Sequence, residues 1–226
     1  MIKIGIPVFP GSNCDKDVHN VLTKRFNIQA DLIWHKKSVL SDYDAIIIPG
    51  GFSYGDRLRA GIIAAHSPII KEIKKMANNK IPILGICNGF QILIESGLLP
   101  GALIRNENLQ FLCKWTNLIV EENDTPFTNK FKKKEIFKIP SAHGEGRYMI
   151  DKENLKKIKK NRQIIFRYHV NNPNGSIERI AGIGNEDKNI VGIMPHPERA
   201  CEKKLLDFGL SAEASKIFES LVEYVK

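Results

Sequence analysis

The chain has 226 residues, 42% of them hydrophobic and 26% charged, an ordinary globular composition best read as one α/β domain spanning residues 1–226. No apolar run approaches membrane-span length, and the apolar part of the opening MIKIGIPVFPGSN is too short for a signal peptide, so a soluble cytoplasmic protein is expected. The net charge of +9 sits in lysine runs such as Lys132 to Lys134, without interleaved aromatic residues, and the four cysteines (Cys14, Cys87, Cys113, Cys201) form no C-x-x-C pair; a solvated face is favoured over nucleic-acid binding, and neither a disulfide framework nor a zinc site is suggested.

Strand-length apolar runs alternate with helix-length periodic stretches through the first hundred residues, the pattern of a mostly parallel, doubly wound, flavodoxin-like sheet with helices on both faces. The first strand runs from Ile2 to Val8 and stops at Pro10 and Gly11, and a helix follows through Val18, Val21 and Leu22. Strands are expected at Ala30 to Trp34, Ala45 to Ile48 and Ile81 to Ile86. Between the last two, helical periodicity resumes at Leu58 and restarts at Ser67 and Pro68, a capping residue and a proline at the first helical position. Past Gly101 shorter strands are predicted at Leu118 to Val120, Glu135 to Ile139, Ile164 to Val170, Ile180 to Ile183 and Ile190 to Ile193, extending the sheet. The carboxyl end, capped by Ser211, carries Ile217, Phe218, Leu221, Val222 and Val225 at helical spacing.

The sharpest chemical signal is Gly85-Ile86-Cys87-Asn88-Gly89, between a buried strand and a helix through Phe90, Ile92 and Leu93. Small residues two before and two after Cys87 let the strand turn sharply into the helix, a nucleophile elbow, and the helix amino terminus favours the attacking thiolate. The competing reading is an inert core thiol, but two glycines would then weaken a strand and a helix without return. Met194-Pro195-His196-Pro197-Glu198 follows another strand end. In an extended segment side chains two apart point the same way, so Glu198 is expected to orient His196 as the proton shuttle for Cys87. Donors for the oxyanion are expected from the backbone N–H of Asn88 and from Gly51, in the turn after the third strand. All three segments would lie at the carboxyl ends of strands, where open parallel sheets place their sites.

Pro49-Gly50-Gly51, Gly85 to Gln91 and His196-Pro197-Glu198, in this order, resemble the triad-type class I glutamine amidotransferases. Finer motifs, FPGSNCD (Phe9 to Asp15), GGFSYGDRLRAG (Gly50 to Gly61), QFLCKWTNL (Gln110 to Leu118), AHGEGR (Ala142 to Arg147), NPNGS (Asn172 to Ser176) and MPHPERA (Met194 to Ala200), resemble the glutaminase subunits of phosphoribosylformylglycinamidine synthases. Arg57 stands where that group has tyrosine.

The resemblance implies a subunit that releases ammonia from glutamine in purine biosynthesis. It has no cofactor of its own. It implies a synthetase partner that uses ATP and magnesium to amidate formylglycinamide ribonucleotide, together with a small accessory subunit. It also implies that Gln91, His143 and Glu145 lie near bound glutamine; as residues alone, His143 and Glu145 read equally well as a polar turn. No metal, nucleic acid or membrane enters this reading, and Cys14 has no assigned chemistry. The rivals are a stand-alone cysteine hydrolase of related fold and a scaffold protein without turnover.

Overall fold

The computed structural model describes residues 2–201 and 212–226. The first half contains β1 (Lys3–Val8), α1 (Asp15–Asn20), β2 (Gln29–Trp34), β3 (Ala45–Ile48), α2 (Ile62–Ala65), α3 (Pro68–Asn78), β4 (Ile83–Ile86) and α4 (Asn88–Glu95). The second contains β5 (Ala102–Ile104), β6 (Leu112–Val120), β7 (Ile136–His143), β8 (Arg147–Met149), α5 (Lys152–Lys160), β9 (Ile164–Tyr168), β10 (Ile180–Gly184), β11 (Ile190–Ile193) and α6 (Lys216–Tyr224).

A nine-stranded sheet runs in the order β2-β1-β3-β4-β11-β10-β9-β6-β7. From β2 to β11 neighbouring strands are parallel, and from β11 to β7 they are antiparallel. The parallel strands β3, β4 and β11 read AIII, ILGI and IVGI and are buried at every position, because a strand covered on both faces has no use for alternation. Helix α4 packs on β3, β4 and β11, which seats the elbow at the middle of the sheet. The α/β fold expected from the sequence is therefore present, and its second half extends the sheet as expected.

Several boundaries differ for physical reasons. The helix expected from Leu58 begins at Ile62: Tyr54, Gly55, Asp56, Leu58 and Gly61 all have positive φ, and Leu58 is 93% exposed, so the segment is a wound loop. The predicted strand at Leu118 is the end of β6, which starts at Leu112; its first half mixes exposed Cys113 and Lys114 with half-buried Trp115 and lacks a clean period. The strand expected to reach Val170 stops at Tyr168, because Val170 has a φ of 66°. Strands β5 and β8, a separate pair, and α5 were not foreseen. Helix α5 buries Ile158, half-buries Leu155 and turns its lysines outward, in keeping with a solvated basic face, and Asp151 caps it by accepting from the Glu153 and Asn154 N–H groups. Ser67 occupies the cap position of α3 without a side-chain capping bond, with Pro68 at the first turn; the cap expected at Ser211 lies outside the described residues. Among the described residues no helix is long and apolar enough to cross a membrane.

A stability prediction arises at the contact between β3 and α4. A Cβ added to Gly89 would lie 2.1 Å from the Ile48 carbonyl oxygen, and one added to Gly85 would lie 2.7 Å from the Gly89 carbonyl oxygen. Backbone cannot move aside as a side-chain tip can, so Gly89→Ala should destabilise by about 3 kcal/mol, the upper end of overpacking costs. Denaturant unfolding of the variant and the parent checks this.

Candidate active site

Cys87 joins β4 to α4 with φ 49° and ψ −105°, a conformation that costs a side-chain-bearing residue about 1–3 kcal/mol and persists only where its surroundings impose it. They do so here. The Cys87 N–H donates to the Ile193 carbonyl of β11 at 2.8 Å, its carbonyl accepts from the Gln91 N–H at 3.1 Å, and the close packing of Gly85 and Gly89 leaves no room to relax. This is the elbow predicted from Gly85 to Gly89. The side chain is 6% exposed, with the sulfur 3.7 Å from the Ala142 carbonyl oxygen.

His196 and Glu198 sit beyond β11, with His196 held by its N–H to the Pro140 carbonyl at 2.8 Å. His196 Nδ1 and Glu198 Oε1 are 2.7 Å apart, both side chains buried. The pairing is as expected, but its geometry is not: Pro197–Ala200 is a 3-10 turn, so the two side chains meet within a tight turn and not along an extended strand. Burial alone would favour the neutral ring; the charges of Glu198 and then Cys87, with the nearby Cys14 and Cys87 thiols, outweigh it and raise the His196 pKa well above the ordinary value. Nδ1 is committed to Glu198, and Nε2 is buried without a hydrogen-bond partner among the described residues. A base whose bond to its nucleophile tightens on substrate binding has this appearance.

A cavity of about 250 Å³ joins Cys87 and His196 to Gly51, Gln91, His143 and Glu145. Gly51 has a φ of 139°, and an added Cβ would fall 2.7 Å from the Asn13 nitrogen, so only glycine fits. Its bridge to Ser12 uses the Phe52 N–H, which donates to the Gly11 carbonyl at 3.1 Å, and leaves the Gly51 N–H unspent. The Asn88 N–H opens α4 and has no intrahelical acceptor. Neither N–H has a backbone acceptor among the described residues.

The Asn88 side chain ties the elbow to the Gly51 loop. Its Oδ1 accepts from the Ser53 N–H at 3.2 Å, and its Nδ2 donates to Gln91 Oε1 at 2.8 Å. Gln91 Nε2 donates in turn to the Glu145 carbonyl at 2.7 Å. Gln91 therefore lines the cavity while bracing the turn that carries His143 and Glu145. His143 Nδ1 lies 3.1 Å from Asn106 Oδ1, which also accepts from the Gly146 N–H; an amide oxygen cannot donate, so Nδ1 carries the proton and Nε2 is a bare acceptor. Burial, then the charge of His196, lowers the His143 pKa to about 3.

Among the cavity residues that sequence reasoning left unassigned are Cys14, Asp56 and Arg199. A Cβ on Gly50 would meet His196 Cε1 at 2.8 Å, Cys14 Sγ at 3.3 Å and Cys87 Cβ at 3.4 Å, so Gly50 is the common floor under all three. Burial raises the Cys14 pKa, and the Arg199 guanidinium donates to its sulfur at 3.0 Å. Cys14, His196 and Glu198 bring donor atoms within 4.8 Å of one another, but the guanidinium occupies the sulfur and His196 occupies Glu198, which makes a poor cation site. His35 instead packs against Phe9, Trp34 and Tyr54, and Arg57 is exposed beside Asp56.

Comparison with known proteins places the chain among glutamine amidotransferases. The chain is 48% identical to a chain in the structure of PurLQS from Thermotoga maritima, covering 100% of this chain and 99% of that one with a TM-score of 0.88. A glutamine amidotransferase from Thermotoga maritima shares the fold at 18% identity, covering 99% and 97% of the two chains with a TM-score of 0.63. The profile of the CobB/CobQ-like glutamine amidotransferase domain matches residues 1–225, and the chain belongs to that glutamine amidotransferase family.

Proposed function

We propose that this chain is the glutaminase subunit of a phosphoribosylformylglycinamidine synthase. It hydrolyses glutamine and delivers ammonia to a synthetase subunit, which uses ATP and magnesium to convert formylglycinamide ribonucleotide to formylglycinamidine ribonucleotide. The observation that carries the reading is a strained Cys87 and a Glu198-bound His196 opening on one cavity. Identity of 48% across the whole chain to a PurLQS chain supports the choice of acceptor and of a synthetase partner; the small accessory subunit rests on the motif resemblance. The chain itself requires no cofactor in this scheme.

The Cys87 thiolate attacks the side-chain carbonyl carbon of glutamine, and the carbonyl electrons move onto oxygen, held by the Gly51 and Asn88 N–H groups. As the carbon–nitrogen bond breaks, His196 gives its proton to the departing nitrogen, and ammonia and a γ-glutamyl thioester result. His196 then takes a proton from water, the hydroxide adds to the thioester, and collapse returns the thiolate and releases glutamate. Glu198 fixes the ring and stabilises its charged form throughout.

Uncoupled turnover would waste glutamine, and the Gly50–Gly51 peptide offers a gate. The Gly50 carbonyl accepts from the Cys14 N–H at 3.3 Å, a long bond that a peptide flip would exchange, turning the Gly51 N–H away from the oxyanion. Loss of one such donor costs about a hundredfold to a thousandfold in turnover. Steady-state glutaminase rates of the free chain and of the complex with synthetase, acceptor and ATP test this: the complex should be faster by a factor of that order. Equal rates would remove both the gate and the partner's part in catalysis.

A further inference from the structure

The cavity beside Cys87 holds more acceptors than its own donors satisfy. Asp56 ends the 3-10 turn Ser53–Asp56 with φ 52°, and its carboxylate accepts one long hydrogen bond, from Asn88 Nδ2 at 3.4 Å. Among the described residues no lysine, arginine or histidine forms an ion pair with it; of the cations that line the cavity, Arg199 is turned to Cys14 and Asp17 and His196 is paired with Glu198. Burial, then the charge of Glu145, raises the Asp56 pKa to about 6. A half-buried carboxylate left without a cation is costly unless a ligand supplies one.

A second observation points the same way. His143 Nε2, on a side chain 3% exposed, has no partner and carries a lone pair. Asp56 and His143 thus present acceptors in the cavity that Cys87 lines, beside Glu145, whose carboxylate also meets the Arg105 guanidinium at 3.6 Å, and the complement of the unpaired Asp56 is a ligand with several N–H donors and a positive charge. Glutamine carries such a group, its α-ammonium, at the end of the molecule opposite the amide that Cys87 attacks.

We propose that Asp56, supported by Glu145, holds the α-ammonium of glutamine and makes the site selective for a free amino acid over an amide that lacks the amino group. The inference rests on the glutaminase reading and adds a substrate-contacting residue to it. Once the ammonium is clamped at Asp56, the side chain of the substrate spans toward Cys87, and the reacting carbonyl is placed by the far end of the molecule. Neighbouring Arg57 is exposed and belongs to the loop surface.

The test compares glutamine with glutaramate, the same carbon skeleton without the α-amino group, in the complex with synthetase, acceptor and ATP. The wild-type chain should prefer glutamine by about a hundredfold or more in kcat/KM, as expected when a buried charge is left unpaired. Asp56→Asn should raise KM for glutamine about tenfold to a thousandfold, change kcat far less, and leave glutaramate turnover nearly as it was, so that the preference collapses. Asp56→Glu, which keeps the charge, should retain part of the preference, and Glu145→Gln should lose less than Asp56→Asn. Equal use of both substrates by the wild type, or the same loss on both substrates in Asp56→Asn, would overturn the proposal. Cys87→Ser is the control for the parent reading: turnover retained there would refute the nucleophile, whereas the substrate ratio reports on Asp56 whichever group attacks.

Discussion

Replacing Cys87 with serine in the assembled synthase should abolish glutamine-dependent amidation, by on the order of ten-thousandfold or more, while amidation from added ammonium salt continues near the wild-type rate. The split follows from the division of labour: the thiol serves the cavity of this chain, and the acceptor is bound by another. The change is nearly isosteric, and the elbow is held by the backbone bonds to Ile193 and Gln91 and by the packing of Gly85 and Gly89, so folding should survive. Loss of both activities in an intact complex would show that the two chains do not divide the reaction. An electrophilic glutamine analogue gives a sharper form of the same test, because Cys14 also lines the cavity. Peptide mapping should place the label on Cys87, with Cys14, Cys113 and Cys201 unmodified: Cys14 is fully buried under the Arg199 guanidinium, and exposed Cys113 does not line the cavity. A label on Cys14 would transfer the nucleophile to the other thiol beside His196.

Replacing His196 with asparagine should lower glutamine turnover by roughly two to four orders of magnitude, the usual worth of positioned acid–base help. Glu198→Gln should cost less, because an amide oxygen still accepts from Nδ1 and preserves the tautomer while the charge that stabilises the protonated ring is lost. The two substitutions should not add, since both act through one ring. Single-turnover thioester formation separates the steps, and the His196 variant should be slowed in both forming and hydrolysing the intermediate. A variant at near wild-type rates would mean that another base serves, and His143 makes a poor replacement because its low proton affinity keeps it neutral.

The sequence by itself determined the parts whose physics is local. The elbow needs small residues at Gly85 and Gly89, the buried strands need unbroken apolar runs, and the pairing of His196 with Glu198 needs only two residues of separation. The 3-10 turn at Pro197–Ala200 brings these side chains together by a different route from the extended segment expected, which shows that the spacing constrained the pair more tightly than it constrained the backbone.

The tertiary structure decided everything that depends on strand order. Cys14 follows β1, Asp56 follows β3 and Arg199 follows β11, and these strands flank β4 in the order β1-β3-β4-β11, so residues far apart in the chain line one cavity with Cys87. No periodicity encodes that meeting, because each of the three looks like an ordinary loop residue within its own segment. The antiparallel half was harder to read for a related reason. Strands such as β6, with one stretch exposed and another buried, take their length from the neighbours they pair with, and pairing is a property of the fold that a single segment does not carry.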